Sequence, residues 1–189
     1  MKTSTRQVFH ELNERIRKQY RHYIPHIIVC GAGKLCQEDC AVCPTGKRQP
    51  CYYNQRMRLV DAFNQNDFNA VTFEEHFELR SPSVEEIKVC RYEEVDKVVV
   101  FSHSPAAISE YSSFMEDPVV RRKLVILVPM EHHPYINPRP GYIDSAFWRI
   151  MVDGGQVLPY DASGVRPAWD CVKKYFETYK AVKSHEATL

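Results

Sequence analysis

Four cysteines, Cys36, Cys40, Cys43 and Cys51, stand close together with three, two and seven residues between them. Thiolates bind soft or borderline metals, and close spacing lets one loop wrap a single ion. Zinc on four cysteines would be a structural clip. An iron–sulfur cluster suits the same spacing, and Cys43-Pro44 matches the Cys-Pro that closes ferredoxin-like cysteine runs. Free thiols in a loop are the third reading, and the spacing leaves all three open. The turn Gly46-Lys47-Arg48-Gln49-Pro50 inside this segment is basic and reads as a solvated loop.

A second group of residues could act on a bound substrate. Val98-Val99-Val100-Phe101 reads as a strand buried on both faces, and Ser102-His103-Ser104-Pro105 as the polar turn after it. A helix follows, with Pro105 at its first position and Ser104 as its cap. In an open α/β sheet, ligands bind outside the carboxyl ends of the strands. Glu110, early in that helix, is therefore a candidate site carboxylate; the plainer reading is a solvated helix residue. Asn69-Ala70-Val71-Thr72-Phe73 predicts another strand, with Glu74-Glu75-His76 at its carboxyl end. There Glu75 could reach the same crevice. His26-Ile27-Ile28-Val29-Cys30 predicts the first strand, and Gly31-Ala32-Gly33-Lys34 a turn whose amides at Gly31 and Gly33 could face a ligand. This turn is not a phosphate loop, because the GxxxxGK[ST] spacing is missing and Leu35 replaces the Ser or Thr. No third glycine completes a dinucleotide fingerprint. His132 and His133 are adjacent, lack a third ligand and read as loop residues.

The elements that must position these residues alternate. Ser4 to about His22 predicts an amphipathic helix, with Val8, Leu12, Ile16 and Tyr20 as its stripe. Further helices are expected over Tyr52 to about Asn66 and from Ser83 to about Val95, the latter with Val84, Ile87 and Cys90 inward. Two more are expected over Ile143 to about Asp153 and from Pro167 to Lys183. Lys123 to Pro129 and Gln156 to Tyr160 predict strands, the second an edge because of Pro159. Cys90 and Cys171 read as small buried apolar residues. The pattern predicts an α/β protein with a Rossmann-like or flavodoxin-like parallel sheet of about five strands, helices on both faces and a cysteine-rich insertion after the first strand. Residues 1–25 are expected to form a helix that packs on a single α/β domain of residues 26–189, with a metal loop expected at 30–51.

At 189 residues the chain can bury one sizeable core. Lys and Arg total 25 against 24 Asp and Glu, so the net charge of +1 gives no electrostatic sign of nucleic-acid binding. The longest apolar runs are too short to span a bilayer, and the amino-terminal segment is charged and not an apolar signal core. The protein is read as cytoplasmic, a compartment where seven cysteines suit thiols or metal ligands better than disulfides.

The whole pattern resembles the nucleoside 2-deoxyribosyltransferase-like family. The likeness lies in a strand ending in Cys30-Gly31, a strand and turn with Ser104-Pro105, and a helix with Glu110. Leu124 to Val128, the Tyr135-Ile136 loop and Gly155-Gln156-Val157-Leu158-Pro159-Tyr160 extend it, over roughly residues 26 to 162. It is nearest to the deoxyribosyltransferase-like effectors of bacterial retron anti-phage systems, in which a Ser-Pro-Gly-x-x-x-Glu segment recurs. Here that segment reads Ser104-Pro105-Ala106-Ala107-Ile108-Ser109-Glu110. The resemblance implies that Glu110 is the nucleophile or charge stabiliser at an anomeric carbon, with Ser102, Ser104 and Glu75 holding sugar hydroxyls. It implies a nucleoside, nucleotide or NAD as substrate and leaves room for a defence-system partner protein, while the stripe of the amino-terminal helix could instead serve a homo-oligomer or partner interface. The chain departs from the family in three places: Ser102-His103 stand where the transferases carry an Asp, Ala106 replaces the glycine, and the cysteine insertion replaces a substrate loop. These departures count against a transferase proper and leave open a hydrolase acting on a nucleotide or NAD, or a non-catalytic nucleotide-sensing or interaction module.

Overall fold

The computed structural model describes residues 23–31, 52–76, 82–102, 105–138 and 142–186. The expected amino-terminal helix and the four-cysteine segment lie outside these residues. Five strands form one all-parallel sheet: β1 (His26–Cys30), β2 (Asn69–Val71), β3 (Lys97–Phe101), β4 (Leu124–Pro129) and β5 (Gln156–Tyr160). Their spatial order is β2-β1-β3-β4-β5. The helices are α1 (Tyr52–Gln65), α2 (Phe73–His76), α3 (Pro82–Arg91), α4 (Pro105–Glu116), α5 (Pro118–Lys123), α6 (Tyr142–Val152) and α7 (Ala168–Glu186). No helix among the described residues is long and apolar enough to cross a membrane.

Every residue of β3 and β4 is buried. Alternate side chains enter opposite cores, as the period of two requires. Val98, Val100, Leu124, Ile126 and Val128 pack with Tyr111 and Phe114 of α4 and Phe147 and Ile150 of α6. Val99, Phe101, Val125 and Leu127 pack on the other face with Leu59 and Phe63 of α1 and Val172 and Phe176 of α7. Phe63 anchors this second core through edge-on contacts with Phe176, Trp169 and Phe68, at 4.6, 5.2 and 5.4 Å between ring centroids. The α/β class and the parallel sheet with helices on both faces are thus as expected.

Three local expectations change. Phe73 begins α2 instead of ending β2: the chain turns at Thr72, which buries Phe73 in the core and swings Glu74 towards α1. Val84 is 51% exposed, because Ile87 and Cys90 define the inward stripe of α3 and Val84 sits on its flank. That helix ends at Arg91, where Lys123 donates to the carbonyls of Cys90 and Tyr92 at 3.1 and 2.5 Å. Cys90 is buried as expected, and burial pushes its thiol pKa up; Cys171 is half-buried. Gly155, between α6 and β5, must be glycine: a β-carbon there would lie 2.5 Å from Ile150 Cγ2 and 2.8 Å from the Arg121 carbonyl oxygen.

At the amino ends of the strands, one carboxylate ties three segments together. Asp96 accepts a short hydrogen bond from the Tyr23 hydroxyl, a second from the Tyr179 hydroxyl at 3.0 Å and a third from the His26 amide at 2.8 Å. Lys97 lies beside it, its Nζ 5.0 Å from the Tyr179 ring centroid. Burial, and then Asp96, raise both phenols above their ordinary value of 10.0. Burial lowers Lys97. A phenol whose folded pKa is raised gives stability that is complete below the unfolded value and is lost as pH climbs above it. Lys97 acts in the opposite sense, because the unfolded chain keeps that proton to higher pH. Tyr179→Phe should cost about 1 kcal/mol near neutral pH. Its loss of stability above about pH 10 should be shallower than that of the parent protein. Urea denaturation across pH checks both; an unchanged alkaline slope would remove Tyr179 from this account.

Candidate functional site

The strand order reverses direction around β1 and β3. The chain leaves β1 for β2 on one side, and leaves β3 for β4 on the other. Connections that diverge in this way open a crevice at the carboxyl ends of the two strands. Gly31 and Ser102 stand directly beyond those ends, where Cys30 pairs with Val100.

Gly31 has φ +147°, a conformation that L side chains rarely adopt. A β-carbon there would lie 3.2 Å from Phe101 Cβ and 3.6 Å from Arg56 Cδ. The missing side chain therefore lets β1, β3 and α1 close up at the crevice floor. Ser102 ties the two central strands: its amide and its hydroxyl both donate to the Leu127 carbonyl at 3.0 Å. That hydroxyl proton is already committed, so towards a ligand Ser102 offers its oxygen as an acceptor. Glu110 lies in α4, which starts only four residues after β3 ends, and Glu75 lies in α2. The side chains of Glu110 and Glu75, and the residues Gly33, Ser104, Cys36, Cys40, Cys43 and Cys51, lie outside the described set. Among the described residues no cluster of His, Cys, Asp or Glu could hold a metal ion.

Arg56 was not picked out by sequence reasoning and is the main charged group here. It is 2% exposed. One guanidinium nitrogen, Nη1, donates to Glu74 Oε1 at 3.0 Å and to the Gly31 carbonyl at 3.3 Å. Its Cζ lies 5.4 Å from the Tyr53 ring centroid, and its Nε is buried with no hydrogen-bond partner. The signal was present in the helix pattern. Leu59, Val60 and Phe63 form the inward stripe of α1, and one turn back that stripe reaches Arg56. A cation on a core stripe needs a partner from elsewhere in the chain.

Glu86 is a second group whose role the pattern obscured, because its spacing from Ser83 resembles a helix cap. It is half-buried in α3, and burial first and the Glu74 charge second raise its pKa above the ordinary carboxylate value. One buried cation, Arg56, and the Glu74 carboxylate thus meet beside Gly31. Titratable groups with shifted pKa values often mark functional sites. His133, by contrast, is structural. It is 4% exposed, its Nε2 lies 3.1 Å from the Val157 carbonyl and its Nδ1 accepts from the Tyr135 amide at 3.3 Å. Both ring nitrogens serve the backbone, which pins the loop after β4 onto β5.

No protein-family model matches the chain, and no curated protein matches it.

The Arg56–Glu74 pair is asymmetric, since Glu74 is 43% exposed while Arg56 is buried. Removing Glu74 strands a charge that water cannot reach, whereas removing Arg56 leaves a carboxylate that water can solvate. Glu74→Ala should therefore cost about 2–3 kcal/mol, large for an exposed residue. Arg56→Met, which keeps most of the packing volume, should cost less. Paired urea titrations measure both, and the reverse order would show that Arg56 is held by packing and not by its partner.

Proposed function

We propose that the protein is an N-glycosidase-type enzyme that cleaves or transfers at the N-glycosidic bond of a nucleoside, a nucleotide or NAD. The observation that carries this reading is the closeness in sequence of β3, which ends at Phe101, and α4, which starts at Pro105. It sets the backbone of Glu110 in the second turn of the helix that rises from the carboxyl edge of the sheet. Breaking an N-glycosidic bond sends the bonding pair to the base nitrogen and leaves positive charge on the sugar. The Glu110 carboxylate stabilises or traps that charge, and water or an acceptor base then completes hydrolysis or transfer. The departing base takes a proton from water as the bond breaks. Gly31, Gly33, Glu75, Ser102 and Ser104 surround the sugar in this reading. The family likeness adds a setting, a phage-defence effector controlled by a partner protein.

The four-cysteine segment completes the proposal with one zinc on Cys36, Cys40, Cys43 and Cys51, held by four thiolates as a structural clip. No chemical step passes through it.

Glu110→Gln should lower base release by about 10²–10³-fold with an unchanged fold. Chromatography of released base from 2′-deoxynucleosides, nucleoside monophosphates and NAD measures turnover, and circular dichroism checks the fold. Turnover that survives in the Gln variant would remove Glu110 from the reaction. Nucleotide binding without any base release would make the protein a sensing module. Metal analysis of protein purified without oxygen should return about one zinc per chain and no visible colour. Iron with sulfide would replace the clip by a cluster, and a metal-free protein would reduce the segment to free thiols.

A further inference from the structure

A separate hollow lies on the α1–α7 side of the sheet, outside the crevice. It has a volume of about 240 Å³. One wall is α1, where Gln55, Arg58, Leu59 and Ala62 follow the spacing of a single helix face. The other wall is the loop after β5 and the first turn of α7. That loop has a fixed shape. Asp161 accepts from the Ser163 amide and hydroxyl at 2.9 and 2.5 Å, and from the Arg166 amide at 2.9 Å. These bonds, with the Ser163 hydroxyl foremost, hold its carboxyl below the ordinary value. Gln55 Nε2 reaches the Ala162 carbonyl at 3.4 Å and joins the two walls.

The chemistry of the lining is uneven. Leu59, Pro167 and Trp169 make it apolar, and the Trp169 ring is held in place by its edge contacts with Phe63 and Phe68. Two exposed guanidiniums, Arg58 and Arg166, stand against one carboxylate, Asp170. Arg166 gives a hydrogen bond to the Asp170 carbonyl at 2.9 Å, and Arg58 has no ion pair or hydrogen bond among the described residues. Guanidiniums present several donors in a plane and match carboxylate or phosphate oxygens. The volume falls below the roughly 300–1,000 Å³ of pockets for drug-sized ligands, so the occupant is compact.

We propose that this hollow binds a small organic anion with a flat apolar body, an aromatic carboxylate or phosphate monoester, its ring against Trp169 and its charge between Arg58 and Arg166. This site does not depend on the glycosidase reading.

The chain has two tryptophans, so Trp148→Phe leaves Trp169 as the sole reporter. Trp148 is 44% exposed and tolerates that change. Phenyl phosphate, benzoate, inorganic phosphate and benzyl alcohol would each be titrated into this variant while Trp169 emission is followed. We expect saturable binding of phenyl phosphate or benzoate, and the tighter of the two identifies the phosphate or the carboxylate source. Arg58→Glu and Arg166→Gln should each weaken that binding by about tenfold or more, the effect of losing one charge-assisted hydrogen bond. Glu110→Gln should leave it unchanged, which separates this site from the crevice. Absence of saturation with both aromatic anions would overturn the proposal. So would binding that Arg58→Glu leaves unmoved in protein of unchanged circular dichroism, or inorganic phosphate bound as tightly as phenyl phosphate.

Discussion

Two adjacent strands buried on both faces impose the rest of this architecture. β3 and β4 expose nothing, so each face needs its own layer of helices, and each layer needs apolar residues at every second strand position. Burying Val99, Phe101, Val125 and Leu127 alone is worth several kcal/mol in area removed from water. Parallel strands require crossover connections, and each crossover returns the chain to the same edge of the sheet. The loop after each strand therefore opens at the carboxyl ends, where α4 follows β3 and α2 follows β2. The crevice follows from the packing problem and from the order of the strands.

The two ends of the sheet treat charge differently. At the amino end, Asp96 is surrounded by donors: two phenols and a backbone amide converge on it. It joins the segment before β1, the start of β3 and the last helix into one unit. At the carboxyl end, among the described residues, Arg56 is held by fewer partners. Arg56 shares a single nitrogen between Glu74 and Gly31 and leaves its Nε without a partner, while Glu86 feels the Glu74 charge. Full pairing makes a clamp. The asymmetric pair leaves the Arg56 cation dependent on Glu74.

The hollow beside α7 extends this asymmetry. α1 serves two neighbours at once, because Arg56 turns towards β1 while Gln55 and Arg58 turn towards the loop after β5. One helix thereby borders both candidate binding places, with Leu59, Val60 and Phe63 holding it against the sheet between them.

Much of the fold was legible because its signals are local. Runs of apolar, largely β-branched residues marked β1, β3 and β4, and Pro105 marked the start of α4. Burial on both faces shows directly as an unbroken apolar run, and a helix stripe shows as spacing. Gly31 and Ser102 could be assigned to strand ends for the same reason. What only the tertiary structure decided depends on residues far apart in sequence. Nothing near Phe73 says that the chain turns there to bury the ring and send Glu74 to Arg56. Nothing near Arg56 says that its partners are a carboxylate eighteen residues on and a glycine carbonyl twenty-five residues back. Strand order, with β1 between β2 and β3, is likewise a matter of which apolar faces meet. Periodicity tells each element which side to bury. The choice of what it is buried against is made when the elements pack, and that choice built the crevice floor and the hollow.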